Sequence, residues 1–229
     1  MAAKPGERKL QILQTIAELL QDPRGEKITT ALLARKLDVS EAALYRHFAS
    51  KAQMYEGLIE FIENSLFSVI NKIGAEEQYG VKQAELIVAL LLGFAQKNRG
   101  LTRVLIGDAL VNEDDRLQAR INQLLDRVEP ALKQALRIAA TSNELPQGED
   151  AAAAANLCLC YVIGRWHLFV KSGFAREPME QWPQQWPMLL AGCLSQPAEK
   201  LFGFLDPLRR IKGKVGQDRV GTGALHRKQ

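Results

Sequence analysis

The stretch Ile28-Thr-Thr-Ala-Leu-Leu-Ala-Arg-Lys-Leu37-Asp-Val-Ser40-Glu-Ala-Ala-Leu-Tyr45-Arg-His-Phe48-Ala-Ser-Lys51 decides how this chain is to be read. Leu33 and Leu37 stand one turn apart and predict a short helix with a single apolar stripe. Asp38-Val39-Ser40 makes a tight connection, and the Ser40 hydroxyl suits the start of a second short helix. On that second helix Leu44 and Phe48 fall four apart and must face inward. Helical geometry then turns Ala42, Tyr45 and Arg46 outward, with Ala43 and His47 on the flanks. Two short helices, a tight turn and a basic, aromatic outer face describe a helix-turn-helix whose second helix has the size to enter a DNA major groove. An ordinary corner between helices shares the spacing, so the outward chemistry has to separate the two. Small side chains at Ala42 and Ala43 let the helix approach base edges, while Thr29, Thr30, Tyr45, His47 and Lys51 offer donors for phosphate oxygens. Ser40 and Arg46 complete the candidate DNA-binding set. Lys51 also stands where a long helix should begin, and a helix N-terminus already favours an anion.

Outward from this segment, the composition is that of a globular protein. Of 229 residues 47% are apolar and 24% charged, which excludes disorder as the main state. Aromatics make up only 7%, so the core must come mostly from Leu, Ala, Ile and Val. The charge is uneven: residues 1–51 carry a balance of +3, residues 52–195 a balance of −4, and residues 196–229 a balance of +5. Basic ends permit a polyanionic partner without requiring one. The longest clean apolar run, Leu86 to Ala95, is too short for a spanning helix, which needs about 20 residues. With no secretory leader at the N-terminus, a cytoplasmic protein is expected. Cys158, Cys160 and Cys193 have no framework spacing and read as free, buried thiols.

Strand patterns are almost absent, and helical spacing recurs nearly everywhere. A first helix is predicted over residues 7–21, with Leu10, Leu13, Ala17 and Leu20 as its inner face. Ser50-Lys51-Ala52-Gln53 has the form of a capping box and opens a long helix to Gly74, with Met54, Leu58, Phe61, Ile62, Val69 and Ile73 as its apolar positions. Residues 81–96 follow as a helix apolar over most of its circumference, suited to the middle of a bundle. Asn98-Arg99-Gly100 should break it before a helix over residues 101–111. Asn112 is then the expected cap of a long helix carrying Leu117, Ile121, Leu124, Val128, Leu132 and Leu136, with Pro130 inside it as a source of a kink. Residues 149–171 and 186–194 should form the last two helices. The fold class is all-α, near nine helices, with an N-terminal three-helix head over residues 1–50 and a helical dimerisation and partner-binding bundle over residues 51–195. Residues 196–229 read as a basic tail with little regular structure.

Residues 39–51, Val-Ser-Glu-Ala-Ala-Leu-Tyr-Arg-His-Phe-Ala-Ser-Lys, resemble the signature of TetR-type regulators. Two positions depart from that pattern: Asp38 stands where Gly is usual in the turn, and Ala49 where Pro is usual after the aromatic. Outside the head, residues 58–66, 90–94, 98–103 and 116–124 resemble the nucleoid occlusion branch of the same family. That resemblance implies a dimer that reads palindromic double-stranded DNA, binds the cell-division tubulin FtsZ while on DNA, and stops septa assembling over the nucleoid. By matched position it implicates Phe61, Leu90, Gly93, Lys97 and Asn98 in FtsZ binding. It implies no cofactor, and no small-molecule ligand is expected. For Phe61 and Leu90 a place in the core is the plain alternative, whereas a core has no use for Lys97 and Asn98.

A conventional ligand-responsive repressor is the competing reading. It needs polar groups among apolar bundle walls, and Arg165, Trp166 and His167 are the groups available. Catalysis has little to stand on. The histidines, His47, His167 and His226, are far apart, and no nucleophile elbow, phosphate-cradling glycine loop or metal-ligand spacing occurs. Apolar faces at residues 157–168 and 186–194, with Trp186 and Cys193 on one stripe, are the expected homodimer contacts.

Overall fold

Side-chain caps set most helix starts in the computed structural model, which describes residues 5–22, 27–145 and 150–193. The basic segment 196–229 lies outside the described residues. The helices are α1 (Pro5–Leu19), α2 (Thr30–Lys36), α3 (Glu41–Tyr45), α4 (Lys51–Glu76), α5 (Gly80–Lys97), α6 (Arg99–Leu105), α7 (Asp115–Thr141), α8 (Ala151–Lys171) and α9 (Trp182–Cys193). A single 3₁₀ turn, Asp108–Leu110, joins α6 to α7, and no strand occurs among the described residues. The class is all-α, as the spacing predicts.

Thr29, Ser40 and Ser50 cap α2, α3 and α4, each hydroxyl accepting from a backbone N–H two or three residues into its helix. Asp114 and Asp150 do the same for α7 and α8 with carboxylates. The cap of α7 therefore falls two residues later than Asn112. Asn112 instead takes a positive φ of 63°, a left-handed turn that Asn tolerates and a cap cannot use. α6 also starts earlier than expected, with Arg99 and Gly100 inside it. Gly100 is required there by contact: a Cβ would lie 2.0 Å from the Ala17 carbonyl oxygen of α1.

The bundle is built around α5, which packs against α4, α6, α7 and α8. Val88, Leu91 and Leu92 of α5 are fully buried, as are Leu117, Leu124, Val128 and Leu132 of α7. The long α7 runs unbroken through Pro130. By length and composition α8 is apolar enough to cross a membrane. One face of it is committed to the bundle, however, with Val162, Trp166 and Phe169 fully buried, while Leu157 and Leu168 on the other face are exposed.

Two expected inner faces and one expected partner face are corrected. In α1 the core face is Ile12 and Ile16, continued by Leu20 just past its end, which is buried as expected, while Leu10 is 48% exposed and Leu13 and Ala17 are only half-buried. Two apolar stripes share that helix, and packing against α4 and α6 selects one. In α4, Phe61 and Val69 lie exposed, because the buried stripe runs through Leu58, Ile59, Ile62, Leu66 and Ile70. In α9, which begins a turn earlier than expected, Trp186 is buried beside Trp182 at a ring separation of 5.3 Å. It is consumed inside the protomer rather than left for a partner. Cys158 is buried but Cys160 is exposed, since two residues along a helix point to opposite sides.

Candidate nucleic-acid interface

The reading head is assembled by local rules. Leu44 and Phe48 are buried under it, which fixes which side of α3 faces out. Ala42, Tyr45 and Arg46 are exposed, and Ala43 and His47 are half-buried at the flanks. Asp38 takes a φ of 52°, the left-handed conformation for which the family pattern uses Gly. Ala49 is compensated differently: its N–H donates to Gln53 Oε1 at 2.8 Å, a bond that Pro in that position has no hydrogen to make. Gln53 thus closes the turn one residue before the site a strict capping box would use.

The hydroxyls of the candidate set already have local partners. Thr29 Oγ1 accepts from the Leu32 N–H at 3.1 Å and Ser40 Oγ from the Ala43 N–H at 3.2 Å. Thr30 Oγ1 donates to Glu41 Oε2 at 2.5 Å, tying the start of α2 to the start of α3. The two capping hydroxyls keep their own hydrogens for an outside acceptor, whereas the Thr30 hydrogen is committed to Glu41.

Lys51 departs most from expectation. Its Nζ lies 2.5 Å from Glu113 Oε1, with side-chain exposures of 21% and 11%. The ammonium also sits 5.6 Å from the centre of the Tyr55 ring. Burial, then the Glu113 charge, push the Tyr55 phenol up to about 12, against an opposing effect of Arg103. A cation expected to be free for DNA is thus held by a carboxylate 62 residues further along the chain.

Head and bundle meet along α1. Besides the Gly100 contact, Arg103 of α6 donates from Nη1 to the Leu20 and Asp22 carbonyl oxygens, while its Nε–H donates to Asp108. These carbonyls end α1, where a guanidinium suits the negative pole of a helix. Beside this seam lies a groove of about 370 Å³ walled by α1 on one side and by α4 and the α5–α6 junction on the other. Leu10, Leu13, Ala17, Phe61, Lys97 and Asn98 line it. Phe61 is 45% exposed there, so it is not a core residue. Asn98 uses its side-chain amide to donate to the Phe94 carbonyl at 2.8 Å. Leu90 and Gly93 do not line this groove; both are half-buried, on the turns of α5 that precede Lys97. The α1 wall was missed in the sequence because its second stripe reads as core.

Two of the three polar handles of a ligand-responsive bundle are spent on structure, while His167 lines a groove with Arg103, Asp108 and Gln118. Trp166 is fully buried and its indole N–H donates to the Leu91 carbonyl at 3.1 Å. Arg165 holds the Glu177 and Pro178 carbonyls of the segment leading to α9.

A head of this geometry on an all-helical body defines the class of TetR-type regulators, and comparison with known proteins agrees. Residues 12–58 match the family described as bacterial regulatory proteins of the tetR family, and residues 79–193 match the SlmA-like form of the tetracyclin repressor-like C-terminal domain. Similar in fold is the crystal structure of a TetR transcription regulator from Haloarcula marismortui (TM-score 0.70, 17% identity, 83% of this chain and all of that one). FadR of Bacillus subtilis, solved with stearoyl-CoA, is similar at TM-score 0.64 and 16% identity, over 80% of this chain and 98% of that one. In sequence the chain is 52% identical to the nucleoid occlusion factor SlmA of Alteromonas mediterranea, over 81% of this chain and 95% of the relative. It is 48% identical to SlmA of Marinomonas sp., over 82% and 96%. The chain therefore belongs to the SlmA branch of the TetR family.

Proposed function

We propose that the protein is a nucleoid occlusion factor of the cytoplasm. As a homodimer it binds palindromic duplex DNA through α3, and the DNA-bound dimer captures FtsZ and blocks septum assembly over the nucleoid. The observation that carries this reading is the position of α1. That one helix underlies the reading head, where Ile12 and Ile16 are buried, and also walls the groove that exposes Phe61 beside Lys97. A partner seated in the groove therefore touches head and body together. Any tilt of the head imposed by DNA changes what the partner meets.

On the DNA side, Ala42 and Ala43 allow close approach to base edges, and Tyr45, Arg46 and His47 reach the flanking backbone. Thr29, Ser40 and Lys51 are the remaining contacts, and Thr30 joins them only by giving up its bond to Glu41. On the FtsZ side, exposed Phe61 is an aromatic anchor and Lys97 a charge at the rim, with Asn98 beside it. Leu90 and Gly93 extend the same face along α5. The ligand-responsive alternative is weaker, because Arg165 and Trp166 are already bonded to backbone carbonyls.

Genome-wide mapping of bound sites tests the first half: many dispersed palindromes are expected, and one site near a single promoter would instead mean a local repressor. Lys97→Glu tests the second. It should leave duplex affinity within about twofold while lowering FtsZ capture by the DNA complex at least tenfold, since a rim charge is reversed. Equal losses in both assays would reject two separate surfaces.

A further inference from the structure

The one cation of the candidate DNA set that is pinned to the bundle is Lys51. Glu113 holds it from the turn between the 3₁₀ segment and α7, with Oε1 2.5 Å from Nζ. That turn is well defined, since Asn112 occupies the left-handed region and the Glu113 N–H donates to the Leu110 carbonyl at 3.0 Å. The Tyr55 ring lies under the ammonium, its centre 5.6 Å from Nζ. Arg103 also acts electrostatically on Tyr55, but its own guanidinium is bonded to Asp108 and to the end of α1. Glu113 thus presents to Lys51 an anionic oxygen of the kind a phosphate would present, from the body of the protein rather than from DNA.

We propose that Glu113 is an internal competitor for the DNA phosphate at Lys51, and so a positioning residue that ties the reading head to the bundle until duplex takes its place. This rests on the reading that the head binds duplex DNA. In the free protein the pair fastens the first turn of α4 to the start of α7. On DNA a phosphate oxygen takes the ammonium, and the carboxylate is left to recruit a cation from solution. The exchange has a thermodynamic signature. A Lys–phosphate contact steepens the salt dependence of binding by about 0.9. Cation uptake by the released Glu113 cancels part of that. The wild-type slope should therefore fall short of what its phosphate contacts alone would give.

The test is a salt titration of binding to a fixed palindromic duplex by wild type, Glu113→Gln, Lys51→Gln and the double variant. Glu113→Gln should bind several-fold tighter at low salt, with a slope steeper by up to about 1.8 per dimer. Removing Lys51 should cost more slope in the Glu113→Gln background than in wild type. A structural tie alone would give the opposite pattern: weaker binding by Glu113→Gln with the slope unmoved. That result, or equal slope losses on removing Lys51 from both backgrounds, overturns the proposal. If Glu113→Gln fails to fold, the charge exchange Lys51→Glu with Glu113→Lys decides, because it keeps a bridge but moves the cation off α4. It should bind with a lower slope than wild type, and a wild-type slope refutes the competition. Wild type that binds no palindrome at all rejects the DNA reading itself, a failure distinct from identical slopes.

Discussion

Asp38 carries a backbone conformation that costs most residues about 1–2 kcal/mol, and it does so at the joint between the two short helices. A β-branched side chain crowds the carbonyl there more than Asp does. Asp38→Val should therefore lower stability by about 1–2 kcal/mol, read from the urea midpoint. Asp150 shows how a single carboxylate sets pH dependence. Its oxygen accepts the Ala152 and Ala153 N–H groups at the open end of α8, and those backbone bonds hold its pKa below the ordinary 3.8. A lowered folded value means the carboxylate contributes stability above the unfolded value, lost as pH falls through the folded one. Asp114, lowered mainly by its hydrogen bonds to Arg116, behaves alike. Asp150→Asn keeps an oxygen for the cap but removes one titration. The fall in urea midpoint between pH 7 and pH 3 should accordingly be smaller in that variant than in wild type, and an equal fall would exclude Asp150 as a contributor.

Among the helices, glycine separates close packing from an open surface. At Gly100 a methyl group would meet the Ala17 carbonyl oxygen, so Gly100→Ala must push α6 from α1 and should cost about 1–3 kcal/mol in a urea melt. At Gly93, in mid-α5, nothing lies within 4 Å of the added carbon. Gly93→Ala should therefore stabilise the protein by about 0.5–1 kcal/mol through helix propensity alone. If it also weakens FtsZ capture, the loss belongs to the surface and not to the fold. The same contrast explains what could be read from the sequence. The head was legible because its signals are local: caps at Ser40 and Ser50, and an inward Leu44–Phe48 pair. The face of α1 was not, because Leu10–Leu13–Ala17 and Ile12–Ile16 both repeat at helical spacing, both lead on to Leu20, and only α4 and α6 decide between them. That undecided stripe became a wall of the groove. Glu113 was invisible as Lys51's partner because nothing local links residues 62 apart.

For the whole molecule, one unpartnered apolar face among the described residues lies on α8 and α9. Leu157 and Leu168 of α8 and Met188 of α9 are exposed, on the two helices left after Trp166, Trp182 and Trp186 have turned inward. Gly164, on the same side of α8 as Leu157 and Leu168, is also exposed and lets a second backbone come close. Two copies joined there by a two-fold axis would carry their α3 helices as a pair, and a palindrome read in successive major grooves needs them about 34–36 Å apart. Leu168→Asp puts a charge into that joint without touching the head. The variant should scatter light as a 25.5 kDa monomer rather than a particle of twice that mass. Its affinity for the full palindrome should fall, because only one half-site is held. The salt slope should drop to about half, since the phosphates neutralised are halved with the protein. A variant that is monomeric yet keeps the wild-type slope would mean that each head reads DNA alone. One that stays dimeric would move the joint away from α8.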